Sequence, residues 1–247
     1  MGATGHLDLL QITLIVRDLP ATEKAFQEAL GLEVAFRDPG VDLWGLENVV
    51  LPMGRTFIEI LAPTRENTPG GRHLDRHGGD GGYMVILQTH DVAPWRARIE
   101  ELGIRIAFEL KTEEPAEGDS WEGIHLHPSD TGGMMISFDN PQPITSWAGA
   151  GPDWREYVRQ DVVDGLVSIT LRSPDPERLA ARWGEVLDRV VVSERGVDRI
   201  DLDQGFLEFE ATREGELEGL ARIDLHATDR ARVGETIPLG GVDFRLV

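Results

Sequence analysis

The stretch "LLQITLIVRDLPATEKAFQEAL", residues 9–30, predicts a β-strand that runs directly into an α-helix. Apolar residues dominate as far as Val16, and Asp18 and Pro20 then mark a polar turn. The segment after this turn has a helical pattern of apolar positions. An aspartate just before a helix suits the N-cap position, where its carboxylate accepts hydrogen bonds from free backbone N–H groups.

Three further segments begin in the same way. Residues 83–92 lead through Asp91 into "APWRARIEELG", and residues 166–176 lead through Asp175 into "ERLAARWGEVL". Residues 220–229 end at Asp229 and are followed by only a short polar piece. Further strands are predicted after the helices, at roughly residues 32–38, 43–52 and 55–62 in the first segment and 104–110, 121–128 and 132–139 in the second.

These segments predict an α+β fold built from tandem βαβββ modules, about four in number, with the last one truncated. The stretch 140–161 is rich in Pro, Gly and Trp and separates the first two modules from the last two. We therefore predict one paired-module domain over residues 1–140, a linker over 141–161, and a second domain over 162–247 that contains the truncated module.

The composition and net charge of the chain argue against some classes of protein. The chain has 247 residues and a formal net charge of −20, from 24 Lys and Arg against 44 Asp and Glu. This charge argues against nucleic acid and anionic membranes as partners, although it leaves room for a local basic pocket. There is no cysteine, no signal-peptide pattern and no apolar run of membrane-spanning length, so we expect a cytoplasmic protein.

Three stretches resemble the vicinal oxygen chelate superfamily, and most closely its methylmalonyl-CoA epimerase-like branch. They are "QITLIVRDLPATEKAFQEALGLEV", "LDRHGGDGGYMVILQTHD" and "IHLHPSDTGGMMISF". The resemblance covers residues 7–140 well and 163–247 more loosely. It implies a glyoxalase-like fold, in which paired modules form curved sheets around a cup that holds a small molecule.

Relatives that bind a metal take two ligands from opening strands, usually His, and two from closing strands, usually Glu or His. The resemblance places these positions here at Gln11 and Met84 on opening strands and at Glu59 and Ser137 on closing strands. Glu59 alone is of the imidazole or carboxylate type that catalytic first-row metals prefer. We therefore predict a degenerate metal site and no cofactor. An alternative keeps a divalent metal on Gln11, Glu59 and a histidine such as His125.

Glu59 is the first candidate for a catalytic residue. If it faces the cup, it lies near Gln11 among apolar neighbours, which raise the pKa of a carboxyl group and suit it to proton transfer. The alternative is a carboxylate that is hydrogen-bonded to Gln11 and only anchors a ligand. His125 is the second catalytic candidate. The residues expected to line the cup and bind the ligand are Gln11, Trp44, Phe57, Met84, Trp121, Met135 and Ser137.

These features favour a metal-independent isomerase, epimerase or lyase that acts on a carbonyl compound or an acyl thioester, with Glu59 as general base. One alternative is a non-catalytic protein that binds an antibiotic or a metabolite in the cup, and another is a metal-dependent enzyme with improvised ligands. The expected partner is a small organic ligand, and the expected state is a monomer or a homodimer. We expect His73 and His77 on a surface loop before the second module.

Overall fold

The computed structural model of the chain describes residues 5–112, 120–194 and 196–247. The helices are α1 (Leu19–Leu30), α2 (Pro69–His77), α3 (Ala93–Glu101), α4 (Pro128–Thr131) and α5 (Pro176–Leu187). The first strands are β1 (Asp8–Ile15), β2 (Leu46–Met53), β3 (Thr56–Pro63), β4 (Gly81–Gln88), β5 (Ile106–Lys111), β6 (Ser120–Leu126) and β7 (Met135–Gln142). The later strands are β8 (Val163–Ser173), β9 (Val191–Glu194), β10 (Val197–Asp201), β11 (Phe206–Ala211), β12 (Gly219–Ala227), β13 (Thr236–Leu239) and β14 (Val242–Leu246).

The described strands form two seven-stranded sheets, in the orders β2-β3-β1-β4-β7-β6-β5 and β13-β14-β12-β8-β11-β10-β9. Each opening strand pairs in parallel with the closing strand of its own module: β1 with β3, β4 with β7, β8 with β11 and β12 with β14. In the fourth module a single short 3₁₀ turn, Arg230–Arg232, stands where the other modules have a helix. The predicted α+β fold of repeated βαβββ-type modules with a truncated last copy is therefore confirmed.

Aspartates organise the turn after each opening strand. The carboxylate of Asp18 accepts from the backbone N–H of Ala21 at 3.0 Å, and that of Asp175 accepts from Arg178 at 3.2 Å. Asp91 stands one residue before the N-cap of α3, and its carboxylate accepts from the Ala93 N–H at 2.9 Å. Asp229 makes the corresponding bond to Ala231 at 3.0 Å. These bonds satisfy backbone donors that a helix start leaves without a partner.

The predicted strand over residues 32–38 is wrong. Within it, the structure has only an isolated bridge between Phe36 and Val50. The chain instead enters a 3₁₀ segment, Pro39–Trp44, for which the Asp38 carboxylate accepts from the Gly40 N–H at 2.8 Å. Proline fixes its own φ near helical values and so favours the start of such a turn over a continued strand.

The chain divides into two compact units, each assembled from separate stretches of sequence. One takes the chain up to Leu10, Met84–Ala148 and Ser168–Leu220, and the other takes Gln11–Tyr83, Gly149–Val167 and Ala221–Val247. The second unit therefore combines most of the first module with most of the fourth, and within it Phe26 of α1 packs edge-on against Phe244 of β14, with ring centroids 5.1 Å apart. The predicted boundaries at residues 140 and 162 stay a prediction.

The first unit combines most of the second module with most of the third. The indole of Trp95 on α3 stacks on Phe138 of β7 at 4.6 Å, and the Trp183 indole N–H on α5 donates to the Gly132 carbonyl at 3.3 Å. Helices α3 and α5 thus each bury one tryptophan within this first unit. In the described ranges, no helix is long and apolar enough to cross a membrane.

Candidate functional site

The carboxylate of Glu59 lies in a buried polar cluster of the second compact unit. Its Oε2 accepts from Gln11 Nε2 at 3.0 Å and from Thr13 Oγ1 at 2.9 Å, and its Oε1 accepts from Asn48 Nδ2 at 2.7 Å. Glu59 is 8% exposed, Gln11 4% and Asn48 3%. Both carboxylate oxygens are therefore held by uncharged donors, with no cation among the three partners.

Strand register assembles this cluster. Glu59 on β3 lies opposite Thr13 on β1, and Gln11 is two residues away on the same face of the parallel pair. On the other side β2 runs antiparallel to β3, with Asn48 opposite Leu61. The side-chain Oδ1 of Asn48 accepts from the Asp38 backbone N–H at 2.7 Å, and this bond turns the side-chain NH₂ towards Glu59. Three strands thus fix one carboxylate.

Burial raises the pKa of the Glu59 carboxyl group. The hydrogen bonds from Asn48, Thr13 and Gln11 act in the opposite direction because they stabilise the ionised form, and the negative charge of Asp38 adds to the upward shift. Desolvation is the larger effect. The cluster therefore holds a carboxylate that binds a proton more readily than an exposed glutamate, which is the property a general base near neutral pH needs.

An apolar wall adjoins this cluster. Ile15, Leu46, Leu61 and Leu74 form its buried part, and Val41, Trp44 and Tyr83 pack against it. Ile15 and Leu61 continue the strand faces of Thr13 and Glu59. Phe57, two residues before Glu59, is buried against Trp154 with ring centroids 5.0 Å apart. Trp44 and Phe57, both predicted to bind ligand, are thus in the same unit as Glu59 and Gln11.

Tyr83 connects the apolar wall to a histidine pair. The His73 ring lies edge-on to Tyr83 at 5.1 Å and stacks on His77 at 3.9 Å. Burial raises the pKa of Tyr83, while the positive charge of Arg72 lowers it and the charge of Glu59 raises it further. Burial lowers the pKa of His73 to about 4. The expected loop position of both histidines is wrong, since they lie on α2, which Thr68 caps through the Gly71 N–H.

The remaining predicted residues lie together in the first compact unit. Met84 pairs with Met135, and His125 pairs with Ser137. The Ser137 hydroxyl donates to the buried carboxylate of Asp139, which also accepts from the Trp121 indole N–H at 2.7 Å. Burial raises the pKa of Asp139 to about 7 and lowers that of His125 to about 4. His125 is therefore a neutral imidazole at physiological pH.

At the four positions that the resemblance assigns to metal ligands, each side chain is engaged elsewhere or is a poor ligand for a divalent cation. Glu59 uses both oxygens to accept hydrogen bonds, and Gln11 points its amide nitrogen, a donor, at this carboxylate. The Ser137 hydroxyl is directed at Asp139, and Met84 offers only a soft thioether. Across the described residues, no three His, Asp or Glu side chains come together in an arrangement that could hold a metal.

Four residues of these two clusters were missed from the sequence: Thr13, Asn48, Tyr83 and Asp139. Asn48 gives the clearest signal, because it is a polar residue that opens the otherwise apolar run "NVVLPM". A buried amide in such a run needs a polar partner. Asp139 follows Ser137 at the two-residue spacing of one strand face, so strand alternation could have placed it beside the predicted position.

Comparison with known proteins agrees with this fold. A family model described as a glyoxalase-like domain matches residues 12–187, and the chain belongs to this family. The chain is 26% identical over 132 residues to an ethylmalonyl-CoA/methylmalonyl-CoA epimerase of Cereibacter sphaeroides, a match that covers 53% of this chain and 96% of the relative. It is also 26% identical over 131 residues to the mitochondrial methylmalonyl-CoA epimerase of Bos taurus, covering 53% of this chain and 73% of the relative.

A solved structure extends the likeness to the whole chain. The crystal structure of a hypothetical protein from Staphylococcus aureus has a TM-score of 0.74 and 13% sequence identity, and the match covers 98% of both chains. At this identity the likeness shows the fold alone. The predicted membership of the vicinal oxygen chelate superfamily and the closeness to its epimerase-like branch are confirmed.

Proposed function

We propose that the protein is a metal-independent isomerase, epimerase or lyase that moves a proton next to the carbonyl group of an acyl thioester or related compound. The observation that carries this proposal is the Glu59 carboxylate, which is buried and held by three neutral donors. A carboxylate in these surroundings is directed in a fixed orientation and has a raised pKa. Both properties suit a general base.

In the proposed step, a Glu59 oxygen takes the proton from the substrate carbon next to the carbonyl. The carbon–hydrogen bond breaks, its electron pair moves into the carbonyl group, and an enolate forms. In an epimerase the carbon then takes a proton from water on the opposite face, and Glu59 releases its proton to the solvent. An enolate is stabilised by hydrogen-bond donors aimed at its oxygen. The hydroxyl of Tyr83, which its raised pKa keeps protonated, is a suitable donor on the apolar wall.

The sequence relatives support a thioester as the substrate class. Two of them are named as epimerases of methylmalonyl-CoA, and one also of ethylmalonyl-CoA. The apolar wall of Ile15, Leu61 and Leu74 offers a surface for the aliphatic part of such a substrate. Chemistry without a metal is supported by the three neutral donors Gln11, Thr13 and Asn48, which hold the Glu59 carboxylate.

A second candidate is a non-catalytic binding protein. The observation that favours it is that three donors already occupy both oxygens of Glu59. In that case Glu59 holds Gln11, Thr13 and Asn48 in place, and these side chains orient a bound antibiotic or metabolite without chemical change.

The test compares Glu59→Gln with wild type in two measurements. Turnover is followed as loss of chirality of (R)- or (S)-methylmalonyl-CoA and ethylmalonyl-CoA, and binding of the same compounds is followed by calorimetry. For an enzyme, the variant loses about 10²–10⁴-fold in kcat and keeps binding. The matched control is Glu47→Gln, which changes an exposed carboxylate on the neighbouring strand. Equal turnover in wild type and Glu59→Gln contradicts the base assignment, and binding without turnover supports the binding protein.

A further inference from the structure

We propose that a surface groove lined by Arg17, Arg65 and Arg72 binds the phosphate groups of a coenzyme A-type thioester. This inference rests on the proposed function and extends it from the reacting carbon to the far end of the substrate. The groove has a volume of about 610 Å³ and lies within the second compact unit, which also contains Glu59. Its size is in the usual range of small-molecule sites. Glu66, Asn67 and Asp75 also line it.

The charge of the groove contrasts with that of the chain. The protein carries a net charge of −20, yet three arginines line this groove against two acidic residues. Arg17 pairs with Asp75 at 2.9 Å. Within the part of the chain that the structure describes, neither Arg65 nor Arg72 has a carboxylate within 4.0 Å. Two cations thus remain for an external anion, in a protein whose net charge is −20.

The two arginines without a carboxylate partner are held by the backbone around them. Arg72 Nη1 donates to the Asn67 carbonyl at 2.6 Å, and Asn67 itself has a left-handed backbone with φ of 61°. The Arg65 side chain packs over Gly45, where an added Cβ would lie 2.5 Å from Arg65 Nε. A guanidinium group whose position is already restricted by such contacts loses less freedom on binding, and its planar fork matches the oxygens of a phosphate.

The groove and the apolar wall share Leu74, which lines the groove and packs in the wall with Ile15 and Leu61. Arg72 also lies near enough to the wall for its charge to act on Tyr83. An elongated ligand therefore contacts both surfaces, with its acyl end on the wall and its phosphates in the groove. Coenzyme A thioesters have this construction, since a long uncharged arm separates the thioester from the phosphates.

The first test is titration calorimetry with coenzyme A, using Arg65→Gln and Arg72→Gln. The matched control is Arg76→Gln, which removes the same charge from the same helix as Arg72 at an exposed position outside the groove. Loss of one charged hydrogen-bonding group should raise the Kd for coenzyme A about tenfold or more, whereas the Kd of Arg76→Gln should stay within about twofold of the wild-type value. Equal Kd for Arg65→Gln and Arg76→Gln, or no binding of coenzyme A by wild type, would overturn the proposal.

Further titrations separate coenzyme A from other anions. Inorganic phosphate and ATP should bind wild type at least about tenfold more weakly than coenzyme A, because neither reaches the apolar wall. If phosphate or ATP bound with the same affinity as coenzyme A, the assignment to a coenzyme A-type ligand would be overturned.

Kinetics then separate this proposal from the catalytic one. Arg65→Gln should raise KM for the coenzyme A ester about tenfold and leave KM for the matching N-acetylcysteamine thioester, which lacks phosphates, unchanged. An unchanged KM of Arg65→Gln for the coenzyme A ester overturns the assignment of the groove as a phosphate site, but it leaves the assignment of Glu59 as the base intact. Arginine-dependent binding of coenzyme A in a protein without turnover supports the groove and contradicts the proposed function.

Discussion

Asn48 and Glu59 are joined by a 2.7 Å hydrogen bond between neighbouring strands, and the side-chain Oδ1 of Asn48 at the same time accepts from the Asp38 backbone N–H. The orientation of the carboxylate therefore depends on β2 and on the turn before it, as well as on β3. The ionisation of Glu59 therefore depends on two opposing effects. Burial favours the protonated form, and the three neutral donors favour the ionised form.

Asn48→Ala should shift the acidic limb of the pH–rate profile to higher pH. Asn48 donates to the ionised form of Glu59 and so lowers its pKa, and removing this donor leaves desolvation less opposed. The measurement is kcat/KM against pH. Asn140→Ala, which removes a half-buried amide on β7, serves as the control. An acidic limb at the same pH in Asn48→Ala and wild type would show that the titrating base is another group.

Glu59→Gln should change how stability depends on pH. The pKa of Glu59 in the folded protein lies above its ordinary value of 4.5, so folding favours the protonated carboxyl. Its contribution to stability is fully present below about pH 4.5 and is lost as the pH rises through the folded-state pKa. Urea unfolding should therefore show the stability of Glu59→Gln relative to wild type increasing with pH. A difference that is constant between about pH 4 and pH 8 contradicts the raised pKa.

Trp121 should report the ionisation of Asp139. Its indole N–H donates to this buried carboxylate at 2.7 Å, and burial raises the pKa of Asp139 to about 7. Tryptophan fluorescence should therefore contain a transition with a midpoint near pH 7 that Asp139→Asn abolishes. Asp161→Asn, at an exposed position, should retain it. Persistence of the transition in Asp139→Asn would assign it to another group.

Gly241→Ala should destabilise the protein by about 2–4 kcal/mol. The backbone φ at Gly241 is 81°, and an added Cβ would lie 1.9 Å from the Asp80 carbonyl oxygen. Gly196→Ala is a matched control, because its φ is also 81° but nothing lies within 4 Å of the new Cβ. The control should cost about 1 kcal/mol from backbone conformation alone. Equal losses in urea unfolding would show that this close approach does not constrain the turn.

The fold class could be predicted because its signals are local. Each strand, aspartate and helix stand next to one another in the sequence, and the carboxylates of Asp18 and Asp175 make the helix-capping bonds that this order suggests. The prediction of a strand over residues 32–38 was wrong because Pro39 starts a turn that the apolar pattern alone does not show. Proximity of Gln11 to Glu59 was expected from the equivalent positions of opening and closing strands, and the two side chains lie 3.0 Å apart.

The rest of the candidate site depends on contacts that a single sequence does not fix. Thr13 and Asn48 reach Glu59 through the register of two strand pairs, and a shift by one residue would turn each side chain to the other face. The groove combines Arg17, which follows β1, with Arg65 and Arg72, which follow β3, so only the folded chain brings the three together. The low content of basic residues gave no sign of such a cluster.

The most direct test of the central claim is deuterium exchange in D₂O, catalysed by chelator-treated protein, at the carbon next to the thioester of methylmalonyl-CoA. Mass spectrometry of the recovered thioester gives the exchange rate. We expect wild type and Glu47→Gln to exchange this hydrogen at equal rates without added metal, and Glu59→Gln to lose about 10²–10⁴-fold. Exchange that requires a divalent metal, or that continues unchanged in Glu59→Gln, would contradict the account.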